Sequence, residues 1–315
     1  MKKTKHFLSI LDLSAKEIWQ VFIMAKKLKN EWIKKGKNKQ LLVGKQMVML
    51  FEKPSLRTKL SFDIAISQLG GHAVYFGPRE VGLGKRESVS DVSKVISSMS
   101  DLIVARVFKH QDLEELALNS KVSVINALSD LEHPCQALAD LFTIWEINKF
   151  AFSRGPKVKG KIEGLKIAYV GDGENNVAHS LCLGATMLGA IFACGSPKGY
   201  WLNSTIVSKA KKYGTVLETV NPKEAVKNAD IVVTDTWVSM GDTDKEKRMK
   251  IFKKYQVSRD LMKFAKKDAI FLHCLPAERG NEVSAEVIDG SQSVVFQQAE
   301  NRVHTAKALI LKLMI

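Results

Sequence analysis

The chain has 315 residues, of which 45% are hydrophobic and 26% are charged. These proportions are typical of a globular protein with a substantial core, and the length is enough for about two domains. No run approaches the roughly 20 apolar residues that a membrane helix needs, and no apolar segment follows the basic start at residues 1–7. We therefore expect neither a membrane anchor nor a targeting peptide, and we expect a cytoplasmic location.

The formal net charge of +15 invites comparison with proteins that bind nucleic acids. The excess is spread over short lysine pairs on polar faces, without the interleaved aromatic residues of a single-strand binder. A solvated positive surface that attracts small anions is the favoured interpretation, and we expect no nucleic acid and no membrane as partners. A binder of nucleic acid or of an anionic surface is the alternative, and steeply salt-dependent retention on DNA would support it. The four cysteines are scattered, so neither a disulfide framework nor a zinc site is expected.

Short apolar runs alternate with helical patterns in two blocks. The first block predicts strands at 46–51, 72–76, 102–107 and 122–127, with helices at 14–35, 56–69, 88–99, 111–119 and 136–147. A passage rich in Gly, Pro and Lys at 152–160 indicates a connector. The second block predicts strands at 166–170, 191–194, 216–220, 231–234 and 270–272, and a helix within 293–313. This alternation indicates an α/β fold with two doubly wound parallel-sheet domains and an interdomain cleft.

In the first block, polar clusters follow the apolar strands, at the edge of a parallel sheet where ligands bind. Ser55 is placed to cap a helix whose first turn carries Arg57 and Thr58, and free amides beside a guanidinium suit a phosphate. A capped helix with a solvated basic turn is the alternative. Arg106 closes the next apolar run. His133 opens a further helix, where an imidazole can polarise a carbonyl or simply cap and pack.

The second block also ends its strands on polar residues. Asp235 follows an apolar run, and its carboxylate suits an ammonium group, although it could equally cap a loop. Cys274 follows another strand and is either a nucleophile or an inert buried thiol. The glycine-rich turn at 171–173 hints at a dinucleotide site. Because a third glycine and an acidic residue after the next strand are missing, we do not expect nicotinamide, and no phosphate loop for ATP is present.

Read in chain order, these clusters resemble the ornithine carbamoyltransferase family. The shared motifs are Ser-x-Arg-Thr at 55–58, Arg106, His-Pro-Cys-Gln at 133–136, Asp-x-x-x-Ser-Met-Gly at 235–241, His-Cys-Leu-Pro at 273–276 and Glu-Asn-Arg at 300–302. They cover essentially the whole chain. The resemblance implies carbamoyl transfer from carbamoyl phosphate to L-ornithine, giving citrulline and phosphate, in arginine metabolism.

The resemblance further implies a domain at 1–148 plus 293–315 for carbamoyl phosphate, to which the C-terminal helix returns, and one at 149–292 for ornithine. Neither a metal nor an organic cofactor is implied, and the expected assembly is a homotrimer with active sites at subunit interfaces. The residues implied for carbamoyl phosphate are Ser55, Leu56, Arg57, Thr58, Arg106, His133, Pro134, Cys135, Gln136, Cys274, Leu275 and Arg302. Those implied for ornithine are Asn176, Asp235, Ser239 and Met240. Catalytic roles fall to Arg106, His133, Asp235 and Cys274.

Departures from the family pattern leave some points open. Lys59 replaces a frequent Arg, so a bidentate contact with phosphate is in doubt. Gly82 stands where many relatives carry a Gln that reaches the neighbouring subunit, and Lys85 or Arg86 is the candidate replacement. The Ser-Met-Gly loop favours ornithine over putrescine, acetylated ornithine or aspartate. Carbamoylation of another amine and a catalytically silent binding protein are the remaining alternatives.

Overall fold

The computed structural model describes residues 4–147, 162–238 and 244–315. The predicted connector at 152–160, together with Ser239 and Met240, lies outside the described residues. The chain divides into two compact units. One comprises the residues up to Leu138 together with Glu300–Ile315, and the other comprises Ala139–Ala299.

The first unit contains a four-stranded parallel sheet in the order β2-β1-β3-β4. Its strands are β1 (Gln46–Phe51), β2 (His72–Phe76), β3 (Leu102–Arg106) and β4 (Ser123–Leu128). The central strands read as continuous apolar runs because parallel sheets are covered on both faces. Phe7 extends the β4 edge by a parallel bridge to Ile125.

Helices connect the strands of this unit. They are α1 (Ala15–Lys35), α2 (Leu56–Gln68), α3 (Pro78–Val81), α4 (Val89–Met99) and α5 (His110–Asn119). Ser14 caps α1 in a reciprocal capping box with Glu17. Two further helices contribute residues to both units: α6 (Pro134–Glu146) and α13 (Val295–Met314).

The second unit contains a five-stranded parallel sheet in the order β7-β6-β5-β8-β9. Its strands are β5 (Lys166–Val170), β6 (Ile191–Gly195), β7 (Val216–Thr219), β8 (Ile231–Thr234) and β9 (Ile270–His273). Its helices are α7 (Asn176–Met187), α8 (Ser204–Lys211), α9 (Pro222–Val226), α10 (Lys245–Phe252), α11 (Arg259–Met262) and α12 (Ala285–Ile288). The order places the carboxyl ends of β5, β8 and β9 side by side, so residues that follow these strands share one edge.

The predicted α/β class with two parallel sheets is confirmed, and the boundaries of several elements shift. The strand predicted at 122–127 runs from Ser123 to Leu128, because the pairing register with β3 changes between Ala105 and Arg106. The helix predicted at 136–147 begins two residues earlier, at Pro134. Proline suits the first turn, where a helix needs no amide donor. Among the described residues, no helix is long and apolar enough to span a membrane.

His304 on α13 makes stability of the first unit sensitive to acid. Burial, and then the charge of Lys307, lowers the pKa of His304 from 6.5 to about 4. Below pH 6.5 His304 binds a proton in the unfolded chain, whereas in the folded chain it binds one only near pH 4. Stability is therefore lost as the pH falls through this window. Between pH 7.5 and pH 5 the loss is about 2 kcal/mol. Thermal unfolding at both pH values should show a weaker pH dependence for His304→Gln, whereas the exposed His72→Gln should follow the wild type. An unchanged dependence in His304→Gln would contradict this assignment.

Candidate active site

In the first unit, the start of α2 is built as the sequence predicts. Ser55 is extended, with φ −158° and ψ 116°, and its hydroxyl accepts the N–H of Thr58 at 3.3 Å. The side chain of Leu56 is 73% exposed, whereas Thr58 is buried. The ammonium of Lys59 lies 3.7 Å from the centroid of the Tyr75 ring, an orientation that engages it in a cation–π contact.

Arg302 joins three elements of this unit. Its guanidinium donates to Thr58 Oγ1 at 3.2 Å through Nη2, and to Gln136 Oε1 through Nη1. The side chain is only 4% exposed, so α2, α6 and α13 are tied together around one buried cation. Three residues predicted from separate motifs, Thr58, Gln136 and Arg302, therefore do come together.

His133 lies in the same cluster. It is buried, and its carbonyl accepts the N–H of Gln136 at 3.0 Å, which fixes the start of α6. Burial, and then the charges of Arg302 and Arg106, lowers the pKa of His133 well below its usual value. The imidazole is therefore uncharged near neutral pH and suits hydrogen bonding to a polarised group rather than proton donation.

Cys135 is buried beside these residues. Its thiol donates to the carbonyl of Asn126 at 3.2 Å, and burial raises the pKa of the thiol to about 12. A thiol in this state is not a nucleophile at neutral pH. Pro134 is the first residue of α6.

The loop that follows α3 presents basic side chains to solvent. Lys85 and Arg86 are exposed, and their main-chain N–H groups donate to the carbonyl of Gly82 at 3.1 and 3.0 Å. Gly82 adopts φ +49°, and an added Cβ would lie 3.3 Å from that of Arg86. The left-handed conformation and this close approach favour glycine at this position.

In the second unit, Asp235 follows β8 and is 7% exposed. Its Oδ1 accepts the N–H of Thr236 at 2.8 Å and the thiol of Cys274 at 3.0 Å, and its Oδ2 accepts Nδ2 of Asn175 at 3.0 Å. Asn175 also caps α7 by accepting the N–H of Val177 at 2.7 Å. The carboxylate is thus held in one orientation. The sequence indicated Asn176 for this site, and its neighbour Asn175 is the residue that orients Asp235.

Cys274 and Leu275 follow β9. Both are partly buried, and Leu275 adopts the left-handed conformation with φ +58°. Asp235, His273 and Cys274 each bring one possible ligand atom within 4.8 Å of the others. His273 Nδ1 already accepts the N–H of Leu275 at 2.9 Å, and the thiol donates to Asp235, so we interpret the trio as a hydrogen-bonded set.

A buried ion pair that the sequence did not indicate supports this unit. Arg248 on α10 pairs with Asp172 after β5 and donates through Nε to the carbonyl of Trp237 at 2.6 Å. Burial raises the pKa of Asp172, and the Arg248 guanidinium opposes that rise. The pair fixes the main chain on either side of the segment that contains Ser239 and Met240.

Two family models match the chain. Residues 5–146 match the carbamoyl-P binding domain of aspartate/ornithine carbamoyltransferase, and residues 163–313 match the Asp/Orn binding domain. The chain belongs to the aspartate/ornithine carbamoyltransferase family. The family thus inferred from short motifs is confirmed over nearly the whole length.

The names of curated relatives agree with this family assignment. The chain is 46% identical over 316 residues to a protein named "Ornithine carbamoyltransferase, anabolic" from Pyrococcus furiosus, covering 98% of this chain and 96% of that one. It is 50% identical over 280 residues to an ornithine carbamoyltransferase from Methanocaldococcus jannaschii, covering 87% and 88%. A solved structure of the Pyrococcus furiosus protein superposes with a TM-score of 0.90 at 45% identity, covering 98% of this chain and 96% of that chain.

Proposed function

We propose that this chain transfers the carbamoyl group of carbamoyl phosphate to the δ-amine of L-ornithine, giving L-citrulline and phosphate. The buried Thr58–Gln136–Arg302 cluster, with neutral His133 beside it, is the observation that carries this proposal. It combines charged and neutral hydrogen-bond donors, as a dianionic acyl phosphate requires, since that substrate joins a phosphate to a carbonyl group. The family domains matched and the names of the relatives support the same reaction.

The first unit supplies the groups that would bind carbamoyl phosphate. The first turn of α2, with Ser55, Arg57 and Thr58, suits the phosphate, because free amides and a helix N-terminus attract anions. Arg106, His133 and Arg302 would face the carbamoyl oxygen. Preorganised donors at such an oxygen are usually the largest catalytic contribution, about 3–4 kcal/mol for one good donor.

The second unit supplies the groups that would bind ornithine. Asp235 is a buried, oriented carboxylate suited to the α-ammonium, and Asn176, Ser239 and Met240 are proposed to hold the amino-acid end. Cys274 and Leu275 would line the reacting centre. Because the thiol of Cys274 donates a hydrogen bond to Asp235, we assign the thiol to positioning of the carboxylate rather than to covalent attack.

The reaction follows from these groups. The δ-amine has a lysine-like pKa of about 10.4 and must lose a proton before it attacks. The nitrogen forms a bond to the carbamoyl carbon, the oxyanion of the tetrahedral intermediate is stabilised by the donors, and the carbon–oxygen bond to phosphate then breaks. The first proton passes from the ammonium to solvent before the attack. The departing phosphate accepts the second proton, which the nitrogen carries in the tetrahedral intermediate. We further propose a cytoplasmic homotrimer in which each active site takes residues from two subunits.

The first measurement is the release of citrulline and phosphate by the purified protein. Carbamoyl phosphate is supplied with ornithine, putrescine, acetylornithine or aspartate in separate reactions. Citrulline formed from ornithine, far above the products of the other acceptors, supports the proposal. Preference for another acceptor would overturn the roles of Asp235, Ser239 and Met240, and no transfer to any acceptor would favour a silent binding protein.

Lys85 and Arg86 are proposed to reach the phosphate of a neighbouring subunit's site. Replacing both by alanine should raise the KM for carbamoyl phosphate at least about tenfold and leave the KM for ornithine within about twofold. Mixed trimers test the trans arrangement. When subunits that carry both alanine substitutions are mixed with Arg106→Ala subunits, activity should be regained. Some sites then combine Arg106 from the first kind of subunit with Lys85 and Arg86 from the second kind. Unchanged carbamoyl phosphate affinity in the double variant, or no recovery on mixing, would refute the contact.

A further inference from the structure

Glu282 is a buried carboxylate that none of the roles above uses. It is 1% exposed, and its Oε1 lies 3.1 Å from Nε2 of His273, which is itself buried. The same oxygen accepts the main-chain N–H of Glu278 at 2.6 Å. Burial of a carboxylate is unfavourable unless hydrogen bonds compensate it, so Glu282 and these two donors hold each other in place.

The hydrogen bonds of His273 determine which of its ring nitrogens carries a proton. Nδ1 lies 2.9 Å from the main-chain nitrogen of Leu275, and an amide N–H can only donate. Nδ1 must therefore be the acceptor, so Nε2 carries the proton and donates to Glu282. Glu282 thus selects the tautomer of His273 that accepts from Leu275.

Leu275 depends on this contact because of its backbone conformation. Its φ of +58° is the left-handed region, which a branched residue adopts only when surrounding contacts hold it there. The imidazole binds its amide directly. The residue before it is Cys274, whose thiol donates a hydrogen bond to Asp235 at 3.0 Å. A shift of the Leu275 amide would therefore change the orientation of the Asp235 carboxylate.

The other side of Glu282 is anchored to rigid structure. Its carbonyl accepts the N–H of Val257 at 2.8 Å, and the carbonyl of Val257 accepts the N–H of Ser284 at 3.1 Å. Val257 and Val283 are both fully buried and form a parallel bridge. These bonds fix the main chain at Glu282, and the Glu282 carboxylate therefore holds the His273 ring in one position.

We propose that Glu282 is a positioning residue that acts through His273 on the Leu275 main chain and, through Cys274, on Asp235. This inference rests on the proposed function, because it assigns these residues to the ornithine side of the reaction. The property that matters is the placement of a hydrogen-bond acceptor at Oε1, rather than the negative charge.

A matched pair of variants separates placement from charge. Glu282→Gln keeps the length and an acceptor oxygen but removes the charge, whereas Glu282→Asp keeps the charge but is one methylene too short to reach both donors. We expect kcat/KM for ornithine to fall at least about twentyfold in Glu282→Asp and to stay within about fivefold of the wild type in Glu282→Gln. The exposed Glu286→Ala in the same segment should behave as the wild type, and the KM for carbamoyl phosphate should stay within about twofold in all three.

Alkylation of Cys274 reports on the same geometry without turnover. Cys274 is partly buried, whereas Cys135, Cys182 and Cys194 are buried. Peptide mapping after treatment with iodoacetamide gives the alkylation rate of each cysteine, and a change at Cys274 alone distinguishes a local change from unfolding. Glu282→Asp should change the rate at Cys274 at least about threefold, while the rates at the other three stay constant. If the wild type forms no citrulline, the proposed function fails, and this rate still tests the inference.

His273→Asn breaks the same contacts from the His273 side, and its loss of activity with ornithine can be measured without Glu282→Asp. Asparagine keeps an acceptor near the Nδ1 position but cannot reach Glu282. We expect an ornithine-specific loss that does not deepen when Glu282→Asp is added, because both changes break one chain of contacts. Additive losses, equal losses in Glu282→Gln and Glu282→Asp, or wild-type kinetics and Cys274 reactivity in Glu282→Asp would each overturn the proposal.

Discussion

Arg106→Ala is expected to lower kcat at least about a hundredfold, because it removes one of the donors proposed for the oxyanion, an interaction worth about 3–4 kcal/mol. The strand itself should survive the change. The carbonyl of Arg106 accepts the N–H of Glu52 at 2.8 Å, and alanine retains that main-chain bond. The measurement is kcat at saturating concentrations of both substrates, with the oligomeric state followed by light scattering.

Two controls sharpen this test. Arg79→Ala removes an exposed guanidinium from the same unit and should leave kcat unchanged. Arg106→Lys keeps the charge but replaces a planar fork by a point donor, so it should recover only part of the lost rate. A reduction of less than about tenfold in a folded Arg106→Ala variant would mean that the oxyanion is stabilised elsewhere, with Arg302 and His133 as the remaining candidates.

Sequence alone predicted the parts of the fold that depend on local patterns. The apolar runs predicted the positions of the strands, since buried parallel strands are continuously hydrophobic, and the residues around Ser55 predicted that it caps a helix. Motifs at the strand ends also predicted a group that includes Thr58 and Gln136, which the structure brings together at Arg302. Element boundaries were less accurate, because register changes such as that after Ala105 depend on the neighbouring strand.

The contacts that orient the site were not predictable in this way. Asp172 and Arg248 are separated by 76 residues, and Glu282 meets His273 across a loop that has no periodic pattern. Such pairs form because loops bring distant parts of the chain together. From the sequence alone, each of these residues has several possible partners. The turn containing Asp172 even suggested a dinucleotide site. The actual partner of Asp172 is the buried guanidinium of Arg248, which also contacts the rings of Tyr200 and Phe252. This arrangement depends on how the unit packs.

The proposed role of Asp235 in binding the α-ammonium of ornithine leads to the second large effect. Asp235→Asn removes the charge at constant size and should lower kcat/KM for ornithine at least about a hundredfold, since a hydrogen bond to a charged group contributes about 1.5–3 kcal/mol and the lost attraction adds to it. The KM for carbamoyl phosphate should stay within about threefold. The exposed Asp268→Asn in the same unit is the matched control and should have no effect.

Comparison with 5-aminopentanoate identifies which end of the substrate Asp235 binds. This acceptor has the reactive amine but no α-ammonium, so the wild type should strongly prefer ornithine. In Asp235→Asn the preference should fall to within about fivefold, because the group that distinguishes the two amines has gone. If the variant instead lowers the rate with both acceptors by the same factor, Asp235 acts at the reacting amine. The α-ammonium would then have to be bound by other residues, with Asn176, Ser239 and Met240 as the first candidates.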